Sequence, residues 1–218
     1  MNPLVKLILF LHNITQVFMW ACVLYTSVKY IQTGSPRCYR DVVYWAQTFQ
    51  LFEIVPSLLK WTKNNPFQVF TQTFARWCIT YFILPAVWAD PATEHWVFWC
   101  LIPWSAGELT RYPYYMDENP LKEAWGHLRY NVFILNYPTG VFGELICFFS
   151  FMWKSQKLPK EMKPLSLFMP NPYNITLDFE FIVQYIFPVL YLMIWPGMYM
   201  SVFKQRTKYY SSQKGKKD

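Results

Sequence analysis

The sequence predicts an all-α, polytopic membrane protein, a bundle of about six transmembrane helices. Of its 218 residues, 54% are hydrophobic and 21% are aromatic, whereas only 15% are charged. This apolar share exceeds what the core of one soluble domain requires. Apolar runs of roughly twenty residues, the length that crosses a bilayer, also recur along the whole chain.

Six such runs alternate with polar connectors. They are Val5 to Val28, Val42 to Lys60, Phe67 to Trp88, Trp96 to Tyr115, Leu128 to Trp153 and Phe179 to Phe203. The first run is long and further runs follow it, so we interpret it as a retained signal anchor. We expect Pro138, Gly140 and Gly143 to interrupt the fifth helix and to let another chain or a ligand approach it closely. Pro188 and Pro196 are expected to kink the sixth helix.

The formal net charge of +7 arises from basic residues at the ends of the runs and in the tail. Because no compact basic patch is interleaved with aromatic residues, nucleic acid is not a predicted partner. An even number of spans puts both termini on one side, and the basic tail indicates the cytosol. We predict a transmembrane domain over residues 1–203 and a cytosolic tail over residues 204–218, whose end resembles the dilysine signal of endoplasmic reticulum membrane proteins.

Residues 130–144, YNVFILNYPTGVFGE, place a tyrosine and a carboxylate inside the fifth run. Ionisable groups are costly in hydrocarbon, so those that occur there are functional candidates. At about 100° per residue, a step of seven residues returns Tyr137 and Glu144 to one helical face, about 10 Å apart along the axis. Tyr130 extends the same stripe one heptad earlier. The alternative is that these side chains are simply satisfied within the bundle core.

Equal numbers of glutamates and arginines fall within the predicted spans. They are Glu53, Glu108 and Glu144, with Arg76, Arg111 and Arg129. Mutual pairing around a polar centre would remove the cost of isolated charges in hydrocarbon. Glu108 and Arg111 are three residues apart, which favours pairing within one helix. Solute transport is an alternative use of such charges, but the chain shows no internal repeat of broken helices.

Other common site patterns do not occur. The five cysteines lack CxxC spacing and the three histidines are scattered, so neither a disulfide framework nor a metal site is predicted. The chain contains no phosphate-binding glycine loop, and it has no cysteine followed six residues later by arginine, as a phosphatase of that type requires.

Five short motifs follow one another through most of the chain. They are Gln72 with Arg76 as Q-x-x-x-R; Trp104, Glu108, Arg111 and Tyr112 as W-x-x-x-E-x-x-R-Y; Leu128, Arg129 and Tyr130 as L-R-Y; Tyr137, Pro138, Gly140 and Glu144 as Y-P-x-G-x-x-x-E; and Asn171, Tyr173, Asn174 and Asp178 as N-x-Y-N-x-x-x-D. Together they resemble the 3-hydroxyacyl-CoA dehydratase family of very-long-chain fatty acid elongation, first named protein-tyrosine-phosphatase-like proteins.

The resemblance implies a six-span enzyme of the endoplasmic reticulum that converts long-chain (3R)-3-hydroxyacyl-CoA into trans-2-enoyl-CoA, beside other elongation-cycle enzymes. It implies that Tyr137 and Glu144 are the catalytic pair. The supporting residues would be Arg76, Glu108, Arg111, Gly140, Tyr130 and Arg129. The elimination needs a proton acceptor, a proton donor and a group that receives charge on the thioester oxygen, but no nucleotide cofactor or metal. We expect Glu144 to accept and Tyr137 to donate, and the reverse assignment stays open.

The anionic CoA head is expected at the cytosolic mouth of the bundle, with the acyl chain among the apolar helices. Basic residues that could meet its phosphates are Lys60, Lys63, Lys122, Lys204 and Arg206. The alternative for these residues is that they only set the membrane topology. For the whole protein, the alternative is a non-catalytic membrane scaffold of the elongation complex.

Overall fold

The computed structural model describes residues 2–62, 64–116, 119–157, 159, 163 and 166–214. Every regular element within these residues is helical, apart from one isolated antiparallel bridge between Leu167 and Leu177. The predicted all-α class is confirmed. Two sets of predicted residues lie outside the described residues. One is Lys63, a predicted CoA-binding residue, and the other is residues 215–218, which complete the dilysine pattern.

The described part of the chain contains six helical stretches, one for each predicted run. They are α1 (Pro3–Thr33); α2 (Tyr39–Gln50) with a 3₁₀ turn (Leu51–Glu53) and α3 (Ile54–Leu58); α4 (Pro66–Cys78) with a π turn (Ile79–Ile83) and α5 (Leu84–Trp88); α6 (Pro91–Glu94) with a 3₁₀ turn (His95–Val97) and α7 (Phe98–Tyr115); α8 (Lys122–Ser155); and α9 (Phe179–Phe181) with a π turn (Ile182–Ile186) and α10 (Phe187–Lys214). Contacts group residues Met1–Cys147 into one compact unit and Phe148–Asp218 into a second.

Several helix ends follow from local sequence. Three helices begin at a capping side chain followed by proline, at Asn2 before Pro3, Asn65 before Pro66 and Asp90 before Pro91. In each case the cap accepts a hydrogen bond from a backbone N–H of the first turn, and proline at the first position sacrifices no helical hydrogen bond. The first helix ends at Gly34, whose φ of 70° suits glycine.

The expected interruption of the fifth helix is wrong, because α8 is continuous through Pro138. Proline removes a single backbone donor, and the hydroxyl of Thr139 donates to the carbonyl of Leu135 at 2.7 Å, next to that gap. Pro196 lies inside α10 and a π turn comes just before Pro188, and the kinks expected at these two prolines stay a prediction. The last helix also continues beyond Phe203 to Lys214.

Within the described residues, two helices, α1 and α8, are long and apolar enough to cross a membrane. In their most apolar 18-residue windows only 17% and 28% of residues are buried, so both expose apolar surface. Membrane association therefore has support from two of the six predicted spans, and the other four stay a prediction.

The first helix, α1, runs antiparallel to α7. The ring of Tyr30 stacks on Phe98 with centroids 5.7 Å apart, while His12 meets the edge of Tyr112 at 6.1 Å. The contact near the end of α1 is made with the start of α7, and the contact near the start of α1 is made with the end of α7. These two helices are therefore antiparallel neighbours. We call the two ends of this unit the Phe98 end and the Tyr112 end.

The approach of α8 to α7 depends on Gly143. A Cβ atom added there would lie 2.4 Å from the carbonyl carbon and oxygen of Trp99 and 2.7 Å from the nitrogen of Cys100. These are backbone atoms, which cannot rotate away. At Gly140, by contrast, an added Cβ would meet Pro103 at an ordinary 3.6 Å.

A buried carboxylate lies at the Phe98 end of the first unit. Glu94 is only 3% exposed, and it accepts hydrogen bonds from Tyr30 at 2.7 Å and from Tyr39 and Arg40 at 2.5 Å each. Arg37 adds an ion pair at 3.3 Å. Burial raises the pKa of Glu94, but these hydrogen bonds and the charge of Arg40 outweigh it and lower the pKa to about 2.

Gly143→Ala should destabilise the protein by about 1–3 kcal/mol, because the new methyl group has to push two backbones apart. Thermal unfolding of the detergent-purified protein measures this loss. Gly140→Ala is the matched control, and it should be neutral or slightly stabilising because alanine favours a helix over glycine. Equal losses in the two variants would contradict the proposed contact.

Glu94→Gln should lower the melting temperature at neutral pH. Because the folded pKa is about 2, below its usual value of 4.5, ionised Glu94 stabilises the fold above pH 4.5 and loses that effect as the pH falls towards 2. The difference in melting temperature between the variant and the wild type should therefore shrink across this window. A difference that is constant with pH would count against the assignment.

Candidate functional site

A network of alternating charges lies inside the first unit. Arg111 binds both oxygens of Glu53, at 2.6 and 3.0 Å, and its Nε donates to Glu108 at 2.6 Å. The other oxygen of Glu108 accepts from Arg76. The order is therefore Glu53, Arg111, Glu108 and Arg76, so each charge adjoins one of opposite sign. Tyr112 also donates to Glu53.

Arg76 connects this network to an aromatic layer. Its guanidinium lies over Trp104, 4.7 Å from the ring centroid, and over Trp20 at 5.2 Å. One terminal nitrogen binds Glu108, whereas Nε and Nη2 have no hydrogen-bond partner among the described residues. Buried guanidinium donors of this kind favour an acceptor that carries negative charge.

Glu144 also contacts Trp104. The carboxylate is 6% exposed and accepts a hydrogen bond from the indole nitrogen of Trp104 at 2.7 Å. Tyr137 is half-buried on the same helix, makes a hydrogen bond with Gln72, and lies within electrostatic range of Glu144 and Arg76. The structure thus brings the predicted pair, Tyr137 and Glu144, to one side of α8 beside Arg76.

Two predicted supporting residues lie elsewhere. Arg129 donates to Tyr115 at 3.1 Å and lies over three tyrosine rings, so it does not join the charge network as the equal count of charges had suggested. Tyr130 meets the edge of Tyr114, with centroids 5.9 Å apart. Both belong to an aromatic cluster at the Tyr112 end.

The predicted CoA-binding residues divide between the two units. Lys60 follows α3 and Lys122 opens α8, so both belong to the Tyr112 end of the first unit. Lys204 and Arg206 lie on α10 in the second unit, where the guanidinium of Arg206 lies over the ring of Tyr210 at 5.0 Å. No group of three or more metal-ligating side chains occurs in the described ranges.

Sequence reasoning missed two contributions to this site. Trp104 was recognised as part of a motif, but its hydrogen bond to Glu144 joins residues 40 positions apart. Glu53 is expected to pair with an arginine, but the sequence does not show which one, because its partner Arg111 is 58 positions away. Its position inside an apolar run was the available signal that it needs a partner.

Comparison with known proteins identifies the family of this chain. The family described as "Protein tyrosine phosphatase-like protein, PTPLA" matches residues 47–212, about three quarters of the chain. The chain belongs to this family. The match includes the whole charge network together with Trp104, Tyr137 and Glu144, whereas α1 lies before it.

The names of two curated relatives state the same activity. "Very-long-chain (3R)-3-hydroxyacyl-CoA dehydratase 1" of Canis lupus familiaris is 30% identical over 212 residues, which cover 90% of this chain and 80% of the relative. "Very-long-chain (3R)-3-hydroxyacyl-CoA dehydratase 2" of Homo sapiens is 27% identical over 225 residues, which cover 94% and 82%. No solved structure matches the chain.

Arg111→Ala should destabilise the protein by about 3–5 kcal/mol, because Glu53 and Glu108 would stay buried without their main counter-charge. The measurement is thermal unfolding together with the yield of folded protein in membranes. Arg129→Ala is the matched control, since it removes contacts with tyrosine rings and should cost only about 1–2 kcal/mol. Normal yield with lost activity in Arg111→Ala would instead place Arg111 in the catalytic machinery.

Proposed function

We propose that this member of the PTPLA family is a very-long-chain (3R)-3-hydroxyacyl-CoA dehydratase, with Tyr137 and Glu144 as the catalytic pair. The observation that carries the proposal is the position of the buried Glu144 carboxylate. It accepts a hydrogen bond from Trp104 and lies on the same side of α8 as Tyr137, and the guanidinium of Arg76 lies over the ring of Trp104. The names of the relatives support the same reaction.

The reaction removes a proton from C2 and hydroxide from C3 of the acyl chain. Glu144 accepts the C2 proton, the C2–H electron pair forms the double bond, and the C3–O bond breaks. Tyr137 donates a proton to the departing hydroxyl, which leaves as water, and the proton held by Glu144 then restores Tyr137. The indole N–H of Trp104 stabilises negative charge on Glu144 and orients it as the acceptor.

Arg76 is the group that stabilises negative charge on the thioester oxygen. As the C2 proton leaves, negative charge grows on the thioester oxygen, and a pre-positioned cation stabilises it. The Nε and Nη2 donors of Arg76 lack a partner within the described part of the protein and lie beside Trp104. Its Nη1 is held by Glu108, so the guanidinium is already oriented before the substrate binds.

The enzyme we propose has six spans in the endoplasmic reticulum membrane and both termini in the cytosol. The six helical stretches and the apolar surfaces of α1 and α8 support this topology. The N-terminus, Lys60 and Lys122 belong to the Tyr112 end, whereas Arg37 and Arg40 at the Phe98 end are neutralised in part by Glu94. Positive charge therefore favours a cytosolic Tyr112 end.

This orientation also fits a thioester with a charged head. The CoA phosphates would meet Lys60 and Lys122 at the cytosolic mouth, and the acyl chain would extend among the apolar helices towards the pair. Other elongation-cycle enzymes are proposed partners, since they make the substrate and consume the product. The elimination itself requires only the side chains described.

Glu144→Gln and Tyr137→Phe should each reduce dehydratase turnover by about 10²-fold or more, because each removes one proton-transfer group. The assay supplies 3-hydroxyacyl-CoA of several chain lengths to the detergent-purified protein and measures enoyl-CoA. Accumulation of the variants in membranes should be normal.

The matched controls are Glu123→Gln, at the exposed start of α8, and Tyr25→Phe, on the exposed side of α1. Both should retain wild-type turnover. Full activity in the Tyr137 and Glu144 variants would refute the mechanism. A wild-type protein that forms no enoyl-CoA at any chain length would favour the scaffold.

A further inference from the structure

The first helix, which lies outside the family match, has an unusual distribution of polarity. Its buried residues are Asn13, Gln16, Trp20, Val23 and Ser27, spaced three and four residues apart along one face. Its exposed residues include Leu4, Leu7, Leu11 and Phe18. The helix is therefore apolar towards the outside and largely polar towards the interior of the first unit.

Several polar atoms on this face and on α2 lack a partner. Gln16, Trp20 and Gln47 are fully buried, and Gln50 is 2% exposed. Both amide atoms of Gln16 and Gln47, the indole nitrogen of Trp20 and the amide oxygen of Gln50 accept or donate no hydrogen bond within the described chain. A buried amide without a partner is costly, so one side chain of this kind is unusual and four together indicate a ligand.

These four residues, which we call the polar cluster, lie beside the candidate site. His12 of α1 contacts Tyr112 of α7, and Trp20 lies at the height of Trp104 because both contact Arg76. Gln16 is midway between His12 and Trp20, so it lies at the height of Glu108 on antiparallel α7. Gln50 donates to that same Glu108 at 3.2 Å. Gln47 lies one turn earlier on the buried face of α2.

We propose that the polar cluster is a water-binding site that receives the water eliminated at Tyr137 and Glu144. Its unpartnered atoms are a mixture of donors and acceptors without net charge, which suits water better than an anion or an acyl chain. An apolar ligand would leave every one of these atoms unsatisfied.

This role rests on the proposed dehydratase function. The elimination releases one water molecule inside an apolar bundle, where it has few polar partners. The cluster offers hydrogen bonds one helical layer away, separated from the pair by Arg76 and Trp104. Gln16 is then a positioning residue for product water and does not touch the reacting carbon atoms.

The first test is Gln16→Met in the full-length protein, a change that keeps the shape of the side chain and removes its amide. We expect kcat to fall by at least about tenfold and KM for the acyl-CoA to change by less than about twofold. The melting temperature should be unchanged or higher, because a polar group without a partner has been removed. Unchanged kcat with an active wild-type enzyme overturns the role in product release and leaves the dehydratase proposal intact.

The second test does not depend on activity. Radiolytic labelling in H₂¹⁸O marks side chains that lie beside internal water, so buried Trp20 should take up ¹⁸O in the wild type and less in Gln16→Met. Absence of label at Trp20 overturns the water site. Label at Trp20 in a protein without dehydratase activity would support the water site and refute its link to the reaction.

Ser27→Ala is the matched control for both tests. Ser27 lies on the same buried face of α1, and its hydroxyl has no partner in the ranges described, but it is two turns, about 10 Å, beyond Trp20. We expect wild-type kcat and wild-type labelling of Trp20 in this variant. An equal loss of kcat in Ser27→Ala and Gln16→Met would show a general packing effect and would contradict the proposal.

Discussion

A charge can stay inside an apolar bundle only where opposite charges and hydrogen bonds surround it. Glu53, Arg111, Glu108 and Arg76 satisfy this constraint by alternating in sign across three helical stretches. Because each contact is short and directional, the network fixes the relative heights of those stretches. It also fixes the guanidinium of Arg76 against Trp104, and Trp104 in turn holds Glu144.

Stability alone does not explain such a network. Buried ion pairs often stabilise a fold no more than well-packed apolar residues of the same volume, since each charge has lost its hydration. Glu53 and Glu108 are satisfied by arginines, yet Arg76 keeps two buried donors without a partner in the described structure. Donors left in this state at the centre of a bundle favour a role in binding over a role in folding.

The sequence predicted well what depends on near neighbours along a helix. The spacing of Glu108 and Arg111 predicted their ion pair. The seven-residue spacing of Tyr137 and Glu144 predicted that both lie on one side of α8. It predicted poorly what depends on contacts between helices. Pro138 does not break α8, whereas the close approach of another chain expected at the glycines is confirmed at Gly143, which lies against the backbone of α7. Helical periodicity contains no information on which neighbour a residue will meet.

The charge balance of the interior bears on the roles of the pair. With Glu144 ionised, three carboxylates share the region with Arg76 and Arg111, so it carries one net negative charge. A proton taken up by Glu144 brings the interior to neutrality, whereas a proton lost by Tyr137 alone would add a further negative charge. In a medium of low dielectric constant the first step is the less costly, and in the proposed mechanism Arg76 would also face the growing charge on the thioester oxygen. The surroundings therefore favour Glu144 as the proton acceptor and Tyr137 as the donor.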